Sequence, residues 1–149
     1  MTDDFRHRTE LEVRFRDIDA LRHVNNAVFF SYLEQARARY LIDVLDLDMV
    51  SGLPMILASV RLDYRSPIHY GERIGIDTRV DWVGTTSISM SHRLTAGEAG
   101  RLAAESVTIL VSYDYDTARP QPVPDAWRTR LAAYEGHSLE RPAMHQGDS

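Results

Sequence analysis

The chain has 149 residues, of which 44% are apolar and 26% charged, the usual balance for one soluble globular domain with a proper core. It has no cysteine, so disulfides, thiolate metal sites and a cysteine nucleophile are excluded. A net charge of −5 argues against nucleic acid as a partner. The opening MTDDFRHRTE holds no apolar run of a signal peptide, and no segment has the length of a membrane span, so the expectation is a cytoplasmic protein with no membrane partner.

The first expected strand takes Leu11, Val13 and Phe15 alternating with Glu12, Arg14 and Arg16, a period of two. Phe29, Leu33, Ala36, Tyr40 and Val44 then recur at steps of three and four, the apolar stripe of one long helix. Asn25 or Asn26 is the expected N-cap, since a side-chain oxygen there can accept a free N–H of the first turn. The segment DLDMVSGLP is a linker closed by Pro54.

Four strand-like runs follow. Their alternating members are Ile56, Ala58, Val60, Leu62 and Tyr64; Ile74, Ile76, Thr78, Val80 and Trp82; Ile88, Met90, His92 and Leu94; and Val107, Ile109, Val111, Tyr113 and Tyr115. Breaks fall at Pro67 and Gly71, at Gly84, and at Gly97 and Gly100. A shorter helix is expected from Pro124 to about Tyr134, with Trp127, Leu131 and Tyr134 on one side; the polar stretch from Gly136 is expected to fray. The pattern predicts an α+β fold, a five-stranded antiparallel sheet wrapped around one long helix, in a single domain over residues 1–149 with its core at about 8–135 and a flexible tail at 136–149. One helix cannot cover both faces of such a sheet. A symmetric dimer is therefore expected, with Leu57, Met90 and Leu110 among the residues available to a second subunit.

Residues 13–37, VRFRDIDALRHVNNAVFFSYLEQAR, hold the chemistry. Asp19 lies just before a helix start, where unpaired N–H groups point outward and the dipole favours negative charge. A carboxylate beside an anion-stabilising site is what acyl transfer needs. On position alone Asp19 reads as a turn or capping aspartate, Asn25 and Asn26 as helix caps, and Glu34 as a solvated or ion-paired helix glutamate. Asp17 reads as a structural or charge-pairing residue. No second histidine stands at ligand spacing from His23, so no metal is expected, and there is no Gly-rich phosphate loop or nucleophile elbow.

The chain resembles the hotdog-fold thioesterases of the 4-hydroxybenzoyl-CoA thioesterase family. The resemblance rests first on Phe15, Asp17, Asp19, His23, Val24, Asn25, Asn26, Phe29, Tyr32 and Glu34. It continues through Tyr64, Pro67, Gly71, Glu72, Gly84 and Ser87, and through the strand AAESVTILVSYD with its ARPQPVP exit. Two departures stand out: Arg22 occupies the place of a glycine, and Glu72 that of an aspartate.

The resemblance implies an acyl-CoA thioesterase with Asp19 as the catalytic carboxylate, attacking the thioester or activating a water, and with the backbone N–H of Asn26 facing the thioester oxygen. His23, Asn25, Arg22, Glu34 and Tyr64 would belong to the substrate pocket, with Glu34 the reserve catalytic carboxylate. Arg93, Arg101 and Arg119, and beyond them Arg61 and Arg65, are the candidate partners of the coenzyme A phosphates. The implied assembly is a homodimer or homotetramer with active sites between subunits, acting on acyl-CoA without a metal or redox cofactor. The rival readings are an acyl-thioester-binding hotdog protein without turnover and a hotdog dehydratase acting on hydroxyacyl thioesters.

Overall fold

The computed structural model describes residues 5–48 and 52–143. Part of the DLDMVSGLP linker (49–51) and the last six residues of the tail (144–149) lie outside the described residues. The elements run β1 (His7–Glu12), a 3-10 turn (Phe15–Asp17), α1 (Val28–Leu45), β2 (Met55–Tyr64), β3 (Arg73–Val83), β4 (Ser87–Ala96), β5 (Arg101–Asp114), β6 (Arg119–Pro120) and α2 (Asp125–Glu135). The antiparallel sheet has the order β1-β3-β4-β5-β2, with the two-residue β6 added to the far end of β5, so it has six strands rather than the expected five.

Helix α1 lies against the concave face of this sheet. It contains neither Gly nor Pro, and it ends where Asp46 turns into the left-handed region with its N–H on the Ile42 carbonyl. All five stripe residues are buried, joined by Tyr32, Leu41 and Leu45. The apolar contacts fall into two clusters along α1. One gathers Phe29, Tyr32, Leu33 and Ala36 with Ile74, Ile76, Leu94 and Ala104; the other gathers Tyr40, Leu41, Val44 and Leu45 with Val80, Ile88, Met90 and Leu110. Met90 and Leu110 are thus core residues, and only Leu57 of the three expected at a subunit contact is exposed. Both belong to the concave face, which α1 already covers.

Three other expectations on the strands are corrected. Phe15 is 80% exposed, because the chain leaves the strand after Glu12 and turns. Register shifts between Leu57 and Ser59 and between Val80 and Trp82 reverse the facing of the residues beyond them, so that Val83, not Trp82, continues the buried row. On β5 the buried, helix-facing set is Ala104, Ser106, Thr108, Leu110 and Ser112, while Val107, Ile109, Val111 and Tyr113 lie on the outer face. The stretch after Gly136 is docked as far as Glu140: Leu139 is buried, and its carbonyl accepts the Val83 N–H at 2.8 Å. Helix α2 is anchored by Glu135, a buried carboxylate that accepts the Tyr40 hydroxyl at 2.5 Å and the Val80 N–H at 3.0 Å.

Candidate active site

The segment between β1 and α1 folds back on itself. Asp17 O accepts the Asn25 N–H at 2.8 Å, Ile18 bridges Val24, and the Asp19 N–H donates to His23 O at 2.9 Å. This small hairpin is fastened at its base by Asp17, 2% exposed, whose carboxylate accepts the Tyr32 hydroxyl at 2.7 Å, the Arg14 N–H at 3.0 Å and the Arg14 guanidinium at 3.0 Å. Burial alone would raise this carboxyl's pKa, but the Arg14 and Tyr32 hydrogen bonds outweigh it and hold it below the usual carboxylate range. Every oxygen of Asp17 is engaged. It ties the turn to α1 and has nothing left for chemistry.

Asp19 is placed differently. It is half-buried at the start of the turn, where its Oδ1 accepts the Leu21 N–H at 2.9 Å and its carbonyl accepts the Arg22 N–H at 3.0 Å. Its Oδ2 makes no hydrogen bond among the described residues. Arg22, at the glycine position of the motif, keeps the turn by adopting φ +68°, a left-handed conformation that costs a non-glycine residue about 1–2 kcal/mol.

The helix opens at Val28 with Ala27 as N-cap, so neither asparagine caps it. Asn25 instead closes a turn ahead of it, its Oδ1 accepting the Ala27 N–H at 2.9 Å and its carbonyl the Val28 N–H at 2.9 Å. The Asn26 N–H between them makes no hydrogen bond among the described residues. Its carbonyl is held by the hydroxyl of Tyr64, at the end of β2, which donates to it at 2.7 Å. The Tyr64 ring, 43% exposed, meets Phe29 edge-on at 5.0 Å. These groups line a cavity of about 340 Å³ whose walls are His23, Val24, Asn26, Phe29, Tyr64, Arg65, Ser66 and Pro67. His23 packs edge-on against His69 at 5.5 Å, and the Val24 N–H donates to Ile68 O at 2.8 Å, which joins the motif loop to the β2–β3 connection. Among the described residues no three His, Asp or Glu side chains group to hold a metal, and no helix is long and apolar enough to cross a membrane.

The structure therefore brings His23, Asn26 and Tyr64 into one cavity, with Asp19, Arg22 and Asn25 on the turn beside it. Glu34 is elsewhere, on an exposed side of α1, lining a second cavity with Arg37, Leu41, Met55, Leu57 and Leu110. The three arginines do not converge within one chain. Arg101 is spent on Glu72 at 2.9 Å, Ser66 Oγ at 3.2 Å and Pro67 O at 2.9 Å, so it buttresses a wall of the first cavity. Arg93 pairs with Asp77 at 3.3 Å on the outer face of the sheet, over the Phe5 ring. Arg119 stands on β6, at the opposite end of β5 from Ala104 and Tyr64. Arg61 pairs with Asp63 and Arg65 with Glu105. Sequence reasoning missed Ser66 and Arg37. For Arg37 a signal existed: Leu33, Arg37 and Leu41 stand four apart, which places the guanidinium at the inward edge of the stripe.

A sequence profile of the thioesterase-like superfamily matches residues 13–131. A Thermus thermophilus thioesterase solved with coenzyme A and zinc superposes with a TM-score of 0.83 at 38% identity, covering 93% of this chain and 100% of that one. The long-chain acyl-CoA thioesterase FadM of Escherichia coli is 23% identical over 125 residues, 83% of this chain and 95% of that protein. A chloroplastic acyl-acyl carrier protein thioesterase of Arabidopsis thaliana is 23% identical over 133 residues, 86% of this chain and 68% of that protein.

Proposed function

The chain belongs to the thioesterase-like superfamily, and from that premise we propose how its own residues divide the cleavage of an acyl-CoA thioester. The enzyme is a hotdog-fold thioester hydrolase that converts acyl-CoA and water to a free carboxylic acid and coenzyme A. The observation that carries the assignment of residues is the Asn26 N–H just ahead of α1, which makes no hydrogen bond among the described residues and belongs to a residue lining a cavity, with a carboxylate on the adjoining turn whose Oδ2 is likewise unbonded among them.

The thioester carbonyl oxygen docks at the Asn26 N–H. Negative charge that develops there in the tetrahedral intermediate is met by a fixed donor and by the helix dipole, a contribution typically of about 3 kcal/mol. Tyr64, through the Asn26 carbonyl, sets the plane of the neighbouring peptide and keeps the helix head from rotating away. Asp19 Oδ2 either attacks the carbonyl carbon, forming an anhydride that water then opens, or takes a proton from the attacking water; hydrolysis in ¹⁸O-water under single-turnover conditions separates the two by the label retained on the aspartate. The chemistry needs no metal or redox cofactor.

The assembly in this reading is a dimer or a dimer of dimers in the cytoplasm. Among the described residues the outward edge of β2 has no paired strand, since β5 takes its other side, and Leu57 on that strand is exposed. Pairing this edge with a second copy removes an aggregation-prone feature and walls in the seam between α1 and β2. Light scattering at micromolar concentration reads this directly; a mass of 17.0 kDa, that of one chain, refutes it.

The central test is Asp19→Asn, which keeps size and polarity and removes the base or nucleophile. Thiol release from acyl-CoA, followed with a thiol-reactive dye, should fall by about 10²-fold or more while the thermal midpoint holds. Turnover within threefold of wild type overturns the assignment. The same assay separates hydrolysis from binding without turnover and from dehydration, which releases no thiol.

A further inference from the structure

Between the two apolar clusters of the core runs a polar belt. Across the sheet, His7 pairs with Thr78, Thr78 with His92, and His92 with Ser106, all four buried and all on the face that α1 covers. His92 Nδ1 bonds Thr78 Oγ1 at 3.0 Å, so its Nε2 turns away from β3, toward β5 and the helix. That Nε2, together with Ser106 Oγ and Thr108 Oγ1, has no hydrogen-bond partner among the described residues. On α1 the belt meets the gap between Ala36 of one cluster and Tyr40 of the other, where Arg37 stands.

Arg37 is half-buried, and among the described residues its guanidinium makes no hydrogen bond or ion pair. Desolvation lowers its pKa, and the charge of Glu34, on the same cavity, opposes this. A guanidinium carries five N–H donors, and in a native fold such a group is paired or left in water. Arg37 lines a cavity of about 430 Å³ whose other walls include the polar Glu34 and Gln35 and the apolar Leu41, Leu53, Met55, Leu57 and Leu110. Both cavities lie along one seam between α1 and β2: Phe29 and Tyr64 line the first, Leu41, Met55 and Leu57 the second.

Resting on the thioesterase reading above, we propose that Arg37 is a specificity residue, and that this cavity receives an acyl group carrying an acceptor oxygen, a hydroxyl or a carboxylate, at its far end. The apolar walls take the methylenes. The guanidinium takes the oxygen; His92, Ser106 and Thr108 lie deeper in the core and are not among the walls of this cavity. The helical rise puts Arg37 about 16 Å along the chain axis from Asn26, and its side chain leans back toward the helix start. An acyl chain of about eight carbons spans what remains.

The test compares octanoyl-CoA, 8-hydroxyoctanoyl-CoA and the mono-CoA ester of octanedioic acid on the wild-type enzyme and on Arg37→Met and Arg37→Lys. At least one oxygenated ester should exceed octanoyl-CoA in kcat/KM by about tenfold, the scale of a hydrogen bond to a charged group. Which of the two leads identifies a neutral or an anionic terminus. Arg37→Met should bring the three esters within threefold of one another, and Arg37→Lys should keep part of the preference. Titration of the same esters into the Asp19→Asn protein by calorimetry reads the preference without turnover, so failed hydrolysis and failed discrimination are told apart. Equal treatment of the three esters by the wild-type enzyme overturns the proposal. So does an equal loss on all three in Arg37→Met, or a preference that survives in Arg37→Met.

Discussion

His92 makes the enzyme's stability depend on pH below about 6.5. In the unfolded chain the imidazole takes up a proton near its ordinary pKa of 6.5; in the folded protein, burial first and the charge of Arg37 second push that value down to about 3. Between the two values the unfolded state binds a proton that the native state refuses, so stability is fully present above pH 6.5 and is lost as the pH falls toward 3. Each pH unit inside the window removes about 1.4 kcal/mol, so going from pH 7 to pH 5 removes about 2 kcal/mol. Asp17 and Glu72 are held below the ordinary carboxylate range and give up their stabilisation only at lower pH. The assay is urea unfolding at pH 7, 6 and 5 at one fixed protein concentration, with His92→Gln as the non-titrating comparison. The wild type should lose about 2 kcal/mol more than His92→Gln over this range. Identical pH dependence in the two proteins refutes the reasoning, because a buried neutral imidazole cannot leave without changing the linkage.

Asp17→Ala strands the buried Tyr32 hydroxyl and frees Arg14, and should lower unfolding stability by about 1–3 kcal/mol, read by urea midpoint. Arg22→Gly relieves the positive φ of the turn after Asp19 and should raise stability by about 1 kcal/mol in the same assay. Tyr64→Phe removes the bond to the Asn26 carbonyl from a partly exposed site; kcat/KM should fall about 3–10-fold, the scale of one net hydrogen bond, with the thermal midpoint within a degree or two.

What could be read from the sequence was what is local. The α1 stripe was legible because eighteen residues without Gly or Pro keep one period, and every stripe position is buried. The turn from Asp19 to Asn26 was legible because the hydrogen bonds within the small hairpin span at most eight residues, from Asp17 to Asn25. Tyr64 reaches Asn26 across 38 residues, and the choice of Asp19 over Asp17 depends on Tyr32 and Arg14 having already claimed Asp17. Alternation says that a strand has two faces; it does not say which one the helix takes, nor where a bulge exchanges them. The shifts at Leu57/Ser59 and Val80/Trp82 are such exchanges, and they misplaced Ala58 and Trp82.

Strand β5 shows why polarity alone misleads at this point. Its apolar set Val107, Ile109, Val111 and Tyr113 would be the natural core face, yet Val107 is 41% exposed while Ser106, Thr108 and Ser112 lie under α1. Two constraints outweigh hydrophobicity. Ala104 is small, which suits a strand beneath the bulky Phe29, Tyr32 and Leu33 row of a closely packed helix. The Ser106 and Thr108 hydroxyls, with His92 and Arg37, form the polar break between the two apolar clusters. A sheet face built only to bury the helix would carry valine at 106 and 108. Hydroxyls left there without partners among the described residues cost stability that a core has no reason to give up. Ser106→Val with Thr108→Val should therefore make the protein harder to unfold, a gain read by the urea midpoint, and an unchanged or lowered midpoint refutes the argument.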